Sequence, residues 1–220
     1  MSRKAYMAPE YAPIHRYCAL GDSVVQEPGS FAELVRDALA PDAFVNLGVR
    51  NLRAAEVRDT QLAAALAFRP DLAMVVCGAN DAMRPGYEAR ADAVDAAYAD
   101  IVTALQRAGA TVITVSVFVM REYPHMPAWL SAGFSRRMAL LAARTNALAA
   151  RLGTVHADLS AHPAIAAGEV LTGPDGLHGN ALSHRIAAAA VLDRLRSCLG
   201  DAADAARPAG AGHARRQGAG

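Results

Sequence analysis

The chain has 220 residues, of which 53% are hydrophobic and 20% are charged, and its formal net charge is +1. This length and composition predict one domain with a full hydrophobic core. The sequence has no basic stripe with interleaved aromatic residues, which argues against nucleic acid as a partner. The longest apolar stretch, residues 112–120, is interrupted by Thr114 and Ser116 and is too short to span a membrane. We therefore expect neither nucleic acid nor a membrane among its partners.

The N-terminal segment, residues 1–15, contains no apolar run that would form the core of a signal peptide. Three cysteines are present, and Cys18 and Cys77 lie inside apolar runs, as is typical of buried thiols in a reducing compartment. Only Lys4 among the 22 basic residues is a lysine, a bias that is associated with GC-rich bacterial genomes. These features predict a bacterial protein of the cytoplasm.

Five apolar runs rich in β-branched residues predict the strands of a sheet. Their near-continuous apolarity indicates parallel strands that are covered on both faces. In chain order they are residues 16–20, 44–47, 72–77, 111–118 and 154–158.

Helical patterns alternate with these strands. Apolar residues recur at helical spacing through 31–39 and again from Leu62 to Phe68. Longer helices are predicted at 88–108 and 136–152, each followed by a glycine, and at 180–199. The alternation of strands and helices predicts right-handed crossovers and a doubly wound α/β sheet.

The predicted domain covers residues 16–200. Residues 1–15 are expected to form an N-terminal arm. Residues 201–220 are rich in Ala, Gly, Pro and Arg and lack periodicity, which predicts a disordered tail.

Residues 119–135 interrupt this regular pattern with two prolines and the only tryptophan of the chain. They follow the fourth predicted strand and are interpreted as an irregular segment. Two roles remain open for it, a loop that packs on the surface or a wall or lid of an acyl pocket, because loops at this edge of a sheet carry specificity.

Gly21-Asp22-Ser23 follows the first predicted strand and presents a hydroxyl at the carboxyl edge of the sheet, where α/β proteins bind ligands. By itself the tripeptide is also ordinary turn composition. Two further motifs lie downstream, Gly78-Ala79-Asn80-Asp81 after the third strand and Asp175-Gly176-Leu177-His178 before the last helix. Together the three motifs supply a nucleophile, an amide donor and an Asp/His pair, which are the components of a serine hydrolase.

With Asn46-Leu47-Gly48 added, these motifs resemble the four sequence blocks of the SGNH, or GDSL-type, esterases and lipases over residues 16–197. The resemblance implies a three-layer α/β/α sandwich with a flavodoxin-like, five-stranded parallel sheet. It also implies hydrolysis of esters or thioesters through an acyl-serine intermediate, without a metal or cofactor. In this scheme Ser23 is the nucleophile, His178 its base and Asp175 the residue that orients His178, while the Ser23 N–H and Asn80 bind the oxyanion.

The second block departs from the family pattern. Many members have Asn-x-x-x-x-Gly, whose glycine N–H is the third oxyanion donor, whereas Asn51 occupies that position here. Asn tolerates positive φ better than other non-glycine residues, so the position is compatible with a backbone donor. Either Asn51 fills this role or the oxyanion hole is built differently. Gly48 is interpreted as a supporting position where another backbone segment approaches closely.

Each role has an alternative. Ser23 and Asn80 are both compatible with capping a helix, and Asp175 belongs to a strong turn signal that is also compatible with the catalytic role. His156, Asp158 and His162 match no zinc motif, so we expect no metal.

The function itself also has alternatives. An acyltransferase would use the same triad, and a non-catalytic module would use the Gly21-Asp22-Ser23 loop to bind an anion. Because no export signal is visible, the expected substrate is a small-molecule ester or thioester rather than a polysaccharide or bulk lipid.

Overall fold

The structure is a computed structural model that describes residues 13–121, 123 and 126–205. Its five strands are all parallel and lie in the order β2-β1-β3-β4-β5. This order is that of the flavodoxin-like fold, as predicted. The strands are β1 (Arg16–Gly21), β2 (Ala43–Asn46), β3 (Leu72–Val76), β4 (Thr111–Val115) and β5 (Val155–Ala157).

Helices cover both faces of the sheet and so complete the predicted three-layer sandwich. One core cluster lies between the sheet and α3, α5 and α6, and the other lies between the sheet and α2 and α8. Alternate residues of β1 enter opposite clusters, Cys18 and Leu20 on one face and Tyr17 and Ala19 on the other. The helices are α1 (Ser23–Gln26), α2 (Phe31–Leu39), α3 (Ala54–Phe68), α4 (Ala79–Ala82), α5 (Tyr87–Arg107), α6 (Ala128–Leu152), α7 (Pro163–Ala166) and α8 (Ala181–Ala205).

The fourth strand is shorter than predicted, ending at Val115 rather than at residue 118. The apolar run continues beyond this point, but the neighbouring strand does not, because β5 ends at Ala157. The last backbone contact between the two segments is the hydrogen bond from the Ser116 N–H to the Ala157 carbonyl, 3.1 Å long. A strand lasts only as long as its neighbours offer backbone partners.

The prediction of an irregular segment over 119–135 is wrong for its second half, because α6 already begins at Ala128. Pro127 occupies the N-cap position of α6, where a missing N–H does not interrupt the helix. Phe134 then starts a buried stripe that continues through Met138 and Leu141. Residues 122, 124 and 125 lie outside the described part of the chain.

The predicted domain limits remain predictions. Most of the predicted arm, residues 1–12, lies outside the described residues. At the other end α8 continues to Ala205, and residues 206–220 of the predicted tail lie outside the described residues. No helix within the described ranges is long and apolar enough to cross a bilayer.

The chain reverses its direction of winding next to β1, which lies between β2 and β3. A crevice forms at such a point outside the carboxyl ends of the strands. Gly21, at the end of β1, approaches β3 so closely that a Cβ on it would lie 2.2 Å from the Val76 carbonyl oxygen. The buried amide of Gln61 on α3 then accepts from the Gly21 N–H and donates to the Gly21 carbonyl, both at 2.8 Å.

We predict that Gln61→Leu lowers the free energy of unfolding by about 1–3 kcal/mol, the usual cost of a buried N–H left without a partner. The matched control is Gln106→Leu, because Gln106 donates one bond of 2.8 Å to the Leu152 carbonyl from a partly exposed position. Urea denaturation of both variants tests the prediction. Equal losses in the two variants would contradict it.

Candidate active site

Ser23 is the first residue of α1, immediately after the turn that ends β1. The N-cap of this helix is Asp22, whose Oδ1 accepts from the Val24 N–H at 3.1 Å, so Ser23 does not serve as the cap. The first N–H groups of a helix have no carbonyl one turn earlier to bond. The N–H of Ser23 is therefore available to a ligand, although the residue is only 5% exposed.

The Ser23 Oγ lies 3.1 Å from Nε2 of His178, a residue 155 positions later in the chain. On the other side of the imidazole, Nδ1 lies 2.5 Å from Oδ2 of Asp175. The second oxygen of Asp175 accepts from the N–H groups of Leu177 and His178 at 2.9 and 3.0 Å. The turn role and the orienting role predicted for Asp175 are thus compatible, because each uses a different carboxylate oxygen.

The electrostatics of this pair determine the tautomer of the histidine. The hydrogen bond from His178, followed by the one from the Leu177 N–H, lowers the pKa of Asp175 to about 2. A carboxylate that stays ionised can only accept, so the neutral imidazole carries its proton on Nδ1. Its Nε2 then faces Ser23 as an acceptor, as a general base requires.

Asn80 lies in the first turn of α4, directly after β3. The N-cap of α4 is Gly78, with φ of 105°, so Asn80 does not cap the helix. Its Nδ2 donates to Oδ2 of Asp22 at 3.2 Å and to the Leu52 carbonyl at 3.0 Å. Both partners are acceptors, which fixes the NH₂ end of the amide beside the residue that precedes Ser23.

The loop after β2 is held against α1. Asn46 donates through Nδ2 to the Val25 carbonyl at 2.8 Å, and its Oδ1 accepts from the Gly48 N–H at 2.9 Å. A Cβ on Gly48 would lie 2.7 Å from the Gln26 nitrogen, so this position requires glycine for close approach, as predicted. Arg50 adds a third contact, from its N–H to Oε1 of Gln26 at 2.9 Å.

Asn51 has a φ of 65°, in the left-handed region that asparagine tolerates better than other non-glycine residues. The residue is exposed and follows the loop that Asn46 and Arg50 hold. Leu52, the next residue, contacts Asn80 through its carbonyl. Asn51 is therefore adjacent in sequence to a residue that contacts Asn80. It does not line the cavity beside Ser23 that is described in the next paragraph.

A cavity of about 140 Å³ lies at the carboxyl edge of the sheet. Ser23, Asn80 and His178 all contribute to its lining, so the structure brings three of the predicted site residues to one space. Most of the remaining lining residues are apolar, and the segment after β4 and helix α6 contribute several of them.

Two buried polar residues support the site and were not identified as functional from the sequence. Gln61 bonds to both the N–H and the carbonyl of Gly21. The signal that could have revealed it is the presence of a polar residue among alanines and leucines in a helix that packs on the sheet. The sequence indicated Asp22 only as part of the Gly21-Asp22-Ser23 motif. Asp is a preferred N-cap residue, and this preference was the signal that could have predicted its capping role.

Asp22 is 1% exposed, and its carboxylate has no cation in hydrogen-bond contact among the partners described for it. Burial is the main cause that raises the pKa of Asp22 to about 6, and Asp81 adds to the rise. The Val24 N–H and His178 oppose it. A buried carboxylate thus lies directly behind the Ser23 turn.

Within the described residues, no three His, Cys, Asp or Glu side chains converge in a way that could hold a metal ion. The His156 ring bonds instead to Oγ1 of Thr114 at 2.9 Å and to Oδ1 of Asn146 at 2.8 Å. Asp158 accepts from the Ser116 hydroxyl at 2.7 Å.

We predict a pH-dependent effect of Asp22→Asn. Because the pKa of Asp22 is raised in the folded state, its favourable contribution is present below about pH 4 and is lost as the pH rises through about 6. The neutral amide removes this dependence. The stability of the variant relative to the wild type should therefore rise by about 2–3 kcal/mol between pH of about 4 and about 8.

Urea unfolding at the two pH values measures this difference. Asp59→Asn, at an exposed position on α3, is the control and should show no such change. A relative stability of Asp22→Asn that is the same at both pH values would disprove the prediction.

Comparison with known proteins finds solved structures with a similar fold. No curated protein matches the sequence. The solved structure of TesA superimposes with a TM-score of 0.65 at 19% identity, covering 84% of this chain and 100% of that one. A catalytic mutant of Axe2, an acetylxylan esterase from Geobacillus stearothermophilus, gives 0.67 at 16% identity over 82% and 94% of the two chains. The psychrotrophic esterase EstA from Pseudoalteromonas sp., inhibited by monoethylphosphonate, gives 0.57 at 16% identity over 84% and 98%.

At these identities the structural likeness shows the shared fold. The sequence itself carries the family evidence, because residues 19–186 match the model of the GDSL-like lipase/acylhydrolase family. This match contains the Ser23 turn, the Asn80 turn and the Asp175–His178 turn, and it spans more than half of the chain. The protein belongs to the GDSL-like lipase/acylhydrolase family.

Proposed function

We propose that the protein is a serine hydrolase that cleaves an ester or thioester of a small molecule through an acyl-serine intermediate. The observation that carries the proposal is the continuous hydrogen-bonded path from Asp175 through His178 to the Ser23 hydroxyl. A serine hydroxyl is a weak nucleophile unless a base lies within hydrogen-bond reach and is itself oriented by a third group. Membership of the family supports ester hydrolysis in general.

In the proposed reaction His178 Nε2 takes the Ser23 proton while Oγ attacks the carbonyl carbon. The imidazolium that forms is stabilised by Asp175. The tetrahedral intermediate collapses when His178 gives this proton to the leaving oxygen or sulfur, which leaves an acyl group on Ser23. Water then attacks the acyl group, with His178 again as the base, and the acid is released.

We assign the oxyanion to the Ser23 N–H, the Asn80 amide and the Asn51 N–H. Asn51 lies outside the cavity lining but is adjacent in sequence to Leu52, whose carbonyl accepts from Asn80. The Asn80 Nδ2 carries two hydrogens, and both have acceptors in the free protein. We therefore expect the substrate oxygen to replace the longer of the two bonds, the 3.2 Å bond to Asp22. Such a donor is preorganised, because Leu52 continues to hold the amide during the exchange.

The alternatives differ in what they require of this site. An acyltransferase shares every step up to the acyl-serine and differs only in the acceptor that replaces water. A module that binds an anion needs N–H donors but has no use for an oriented histidine at 3.1 Å from the serine. The histidine therefore favours catalysis over simple binding. The proposal includes a cytoplasmic location for the protein and its substrate.

Ser23→Ala is expected to abolish turnover of simple esters, because it removes the nucleophile and leaves its surroundings unchanged. A fluorophosphonate should label the wild type stoichiometrically at Ser23 and leave the variant unlabelled. Ser197→Ala, on the exposed side of α8, serves as the matched control and should behave like the wild type. Activity of Ser23→Ala within tenfold of the wild type would exclude the proposed nucleophile.

Asn51→Gly tests the third oxyanion donor. If only the backbone N–H of Asn51 acts, glycine keeps the donor and relieves a left-handed strain of about 1 kcal/mol. The value of kcat/KM should then stay within a few-fold of the wild type. The control is Ala40→Gly, at another left-handed position that ends α2 (φ 47°), which should change stability alone. A hundredfold loss in a folded Asn51→Gly variant would show that the Asn51 side chain takes part.

A further inference from the structure

The cavity beside Ser23 has one wall made almost wholly of apolar side chains. Met120 and Tyr123 come from the segment after β4, and Phe134, Met138 and Leu141 come from α6. Tyr123 and Phe134 meet edge to face, with ring centroids 4.4 Å apart, and both are nearly fully buried. An apolar wall of this kind favours the burial of a hydrocarbon group.

This wall has a fixed position relative to the Asn80 turn. Arg137 of α6 donates through Nε to the Ala82 carbonyl at 2.7 Å and through Nη2 to the Met83 carbonyl. Leu141 packs at the start of α4, where a Cβ on Gly78 would lie 3.0 Å from its Cδ1. Helix α6 is therefore attached to the element that carries Asn80.

The opposite wall, next to His178, combines polar side chains with apolar ones such as Leu159, Leu171 and Ala187. Thr172, Ser183 and His184 line the cavity there, and the His184 ring stacks on Phe31. In the acyl-serine mechanism the leaving group departs on the side of the histidine, because His178 must give it a proton. The acyl group then extends away from His178, toward α6.

We propose that the acyl group of the substrate is an unbranched, apolar chain of at most about six carbons that lies against Phe134, Met138 and Leu141. The proposal rests on the acyl-serine mechanism above and adds the substrate class. The volume sets the upper limit, because an apolar cavity of about 150 Å³ accommodates benzene, a molecule of six carbons, and the whole cavity, including its side next to His178, measures about 140 Å³. An acetyl group leaves most of the wall without contacts, and a long acyl chain exceeds the space.

The first experiment measures kcat/KM for 4-nitrophenyl acetate, butyrate, hexanoate, octanoate and dodecanoate. Each methylene that enters an apolar cavity is worth about fourfold, or about 0.8 kcal/mol. We expect the hexanoate to exceed the acetate by at least tenfold and the dodecanoate to fall below the optimum. A maximum at acetate, or a value that keeps rising to dodecanoate, would overturn the proposal.

The second experiment changes the wall. Met138→Trp should fill the cavity and move the optimum to acetate or butyrate, and Met138→Ala should move it to longer chains. Ala139→Trp is the matched control, because Ala139 is the next residue of α6 and is exposed. The control should keep the wild-type optimum. An optimum that neither Met138 variant moves would place the acyl group elsewhere.

A third measurement separates this proposal from the proposed function. Fluorophosphonates with an ethyl or a hexyl group on phosphorus label a reactive serine without requiring deacylation. Faster labelling of Ser23 by the hexyl compound supports binding of the acyl group at the apolar wall of α6, here called the acyl wall. It does so even if none of the esters is hydrolysed, a result that would contradict the proposed hydrolase function but not the acyl wall. Ester turnover that depends on Ser23, with equal labelling by both compounds and no preference for chain length, supports the hydrolase and overturns the acyl wall.

Discussion

The end of β1 is held from several directions, and it fixes the position of Ser23 relative to the other site residues. Gly21 approaches β3 so closely that a Cβ on it would lie 2.2 Å from the Val76 carbonyl oxygen. Its N–H donates to the Gln61 amide oxygen, and its carbonyl accepts from the Gln61 NH₂ group and from the Val49 N–H at 3.1 Å. The strand stops there, and Ser23 begins a helix two residues later. A nucleophile must keep its position to a fraction of an ångström, and here the backbone immediately before it has little freedom.

The same constraint places a carboxylate where water does not reach. Asp22 caps α1 and accepts a hydrogen bond from the Asn80 amide, and both interactions require an oxygen acceptor at a buried position. The raised pKa of Asp22 reflects the cost of this arrangement, because the fold must desolvate a charge, and none of the hydrogen-bond partners described for Asp22 is a cation. Functional sites commonly retain such costs, and the remaining structure compensates for them.

The two helical layers contribute unequally to the cavity. Helix α6 brings Phe134, Met138 and Leu141 to the Asn80 side, while the segment from Thr172 to His184 brings polar groups to the His178 side. Catalytic hydrogen bonds and apolar packing thus meet at one edge of one sheet without competing for the same side chains. Methionine is suited to the apolar wall, since its flexible side chain adapts to a chain of variable shape.

The sequence by itself determined the order of strands and helices, the parallel sheet and the motifs that meet at its carboxyl edge. Apolar periodicity is a local property, and the carboxyl ends of parallel strands share one edge, so Ser23, Asn80 and His178 could be placed there in advance. A left-handed conformation at Asn51 could be considered in advance only because the family pattern has glycine at that position and asparagine tolerates this conformation.

Only the tertiary structure decided which groups satisfy one another across the chain. Gln61 lies 40 positions from Gly21, and Asn80 lies 58 from Asp22 and 28 from Leu52. The end of β4 depended on where β5 stops, and the first turns of α6 depended on Pro127 serving as a cap. Hydrogen bonds and strand ends of this kind are set by distances between remote segments. Periodicity along the chain records which face of an element is buried, but it contains no information on which remote polar group that face will meet.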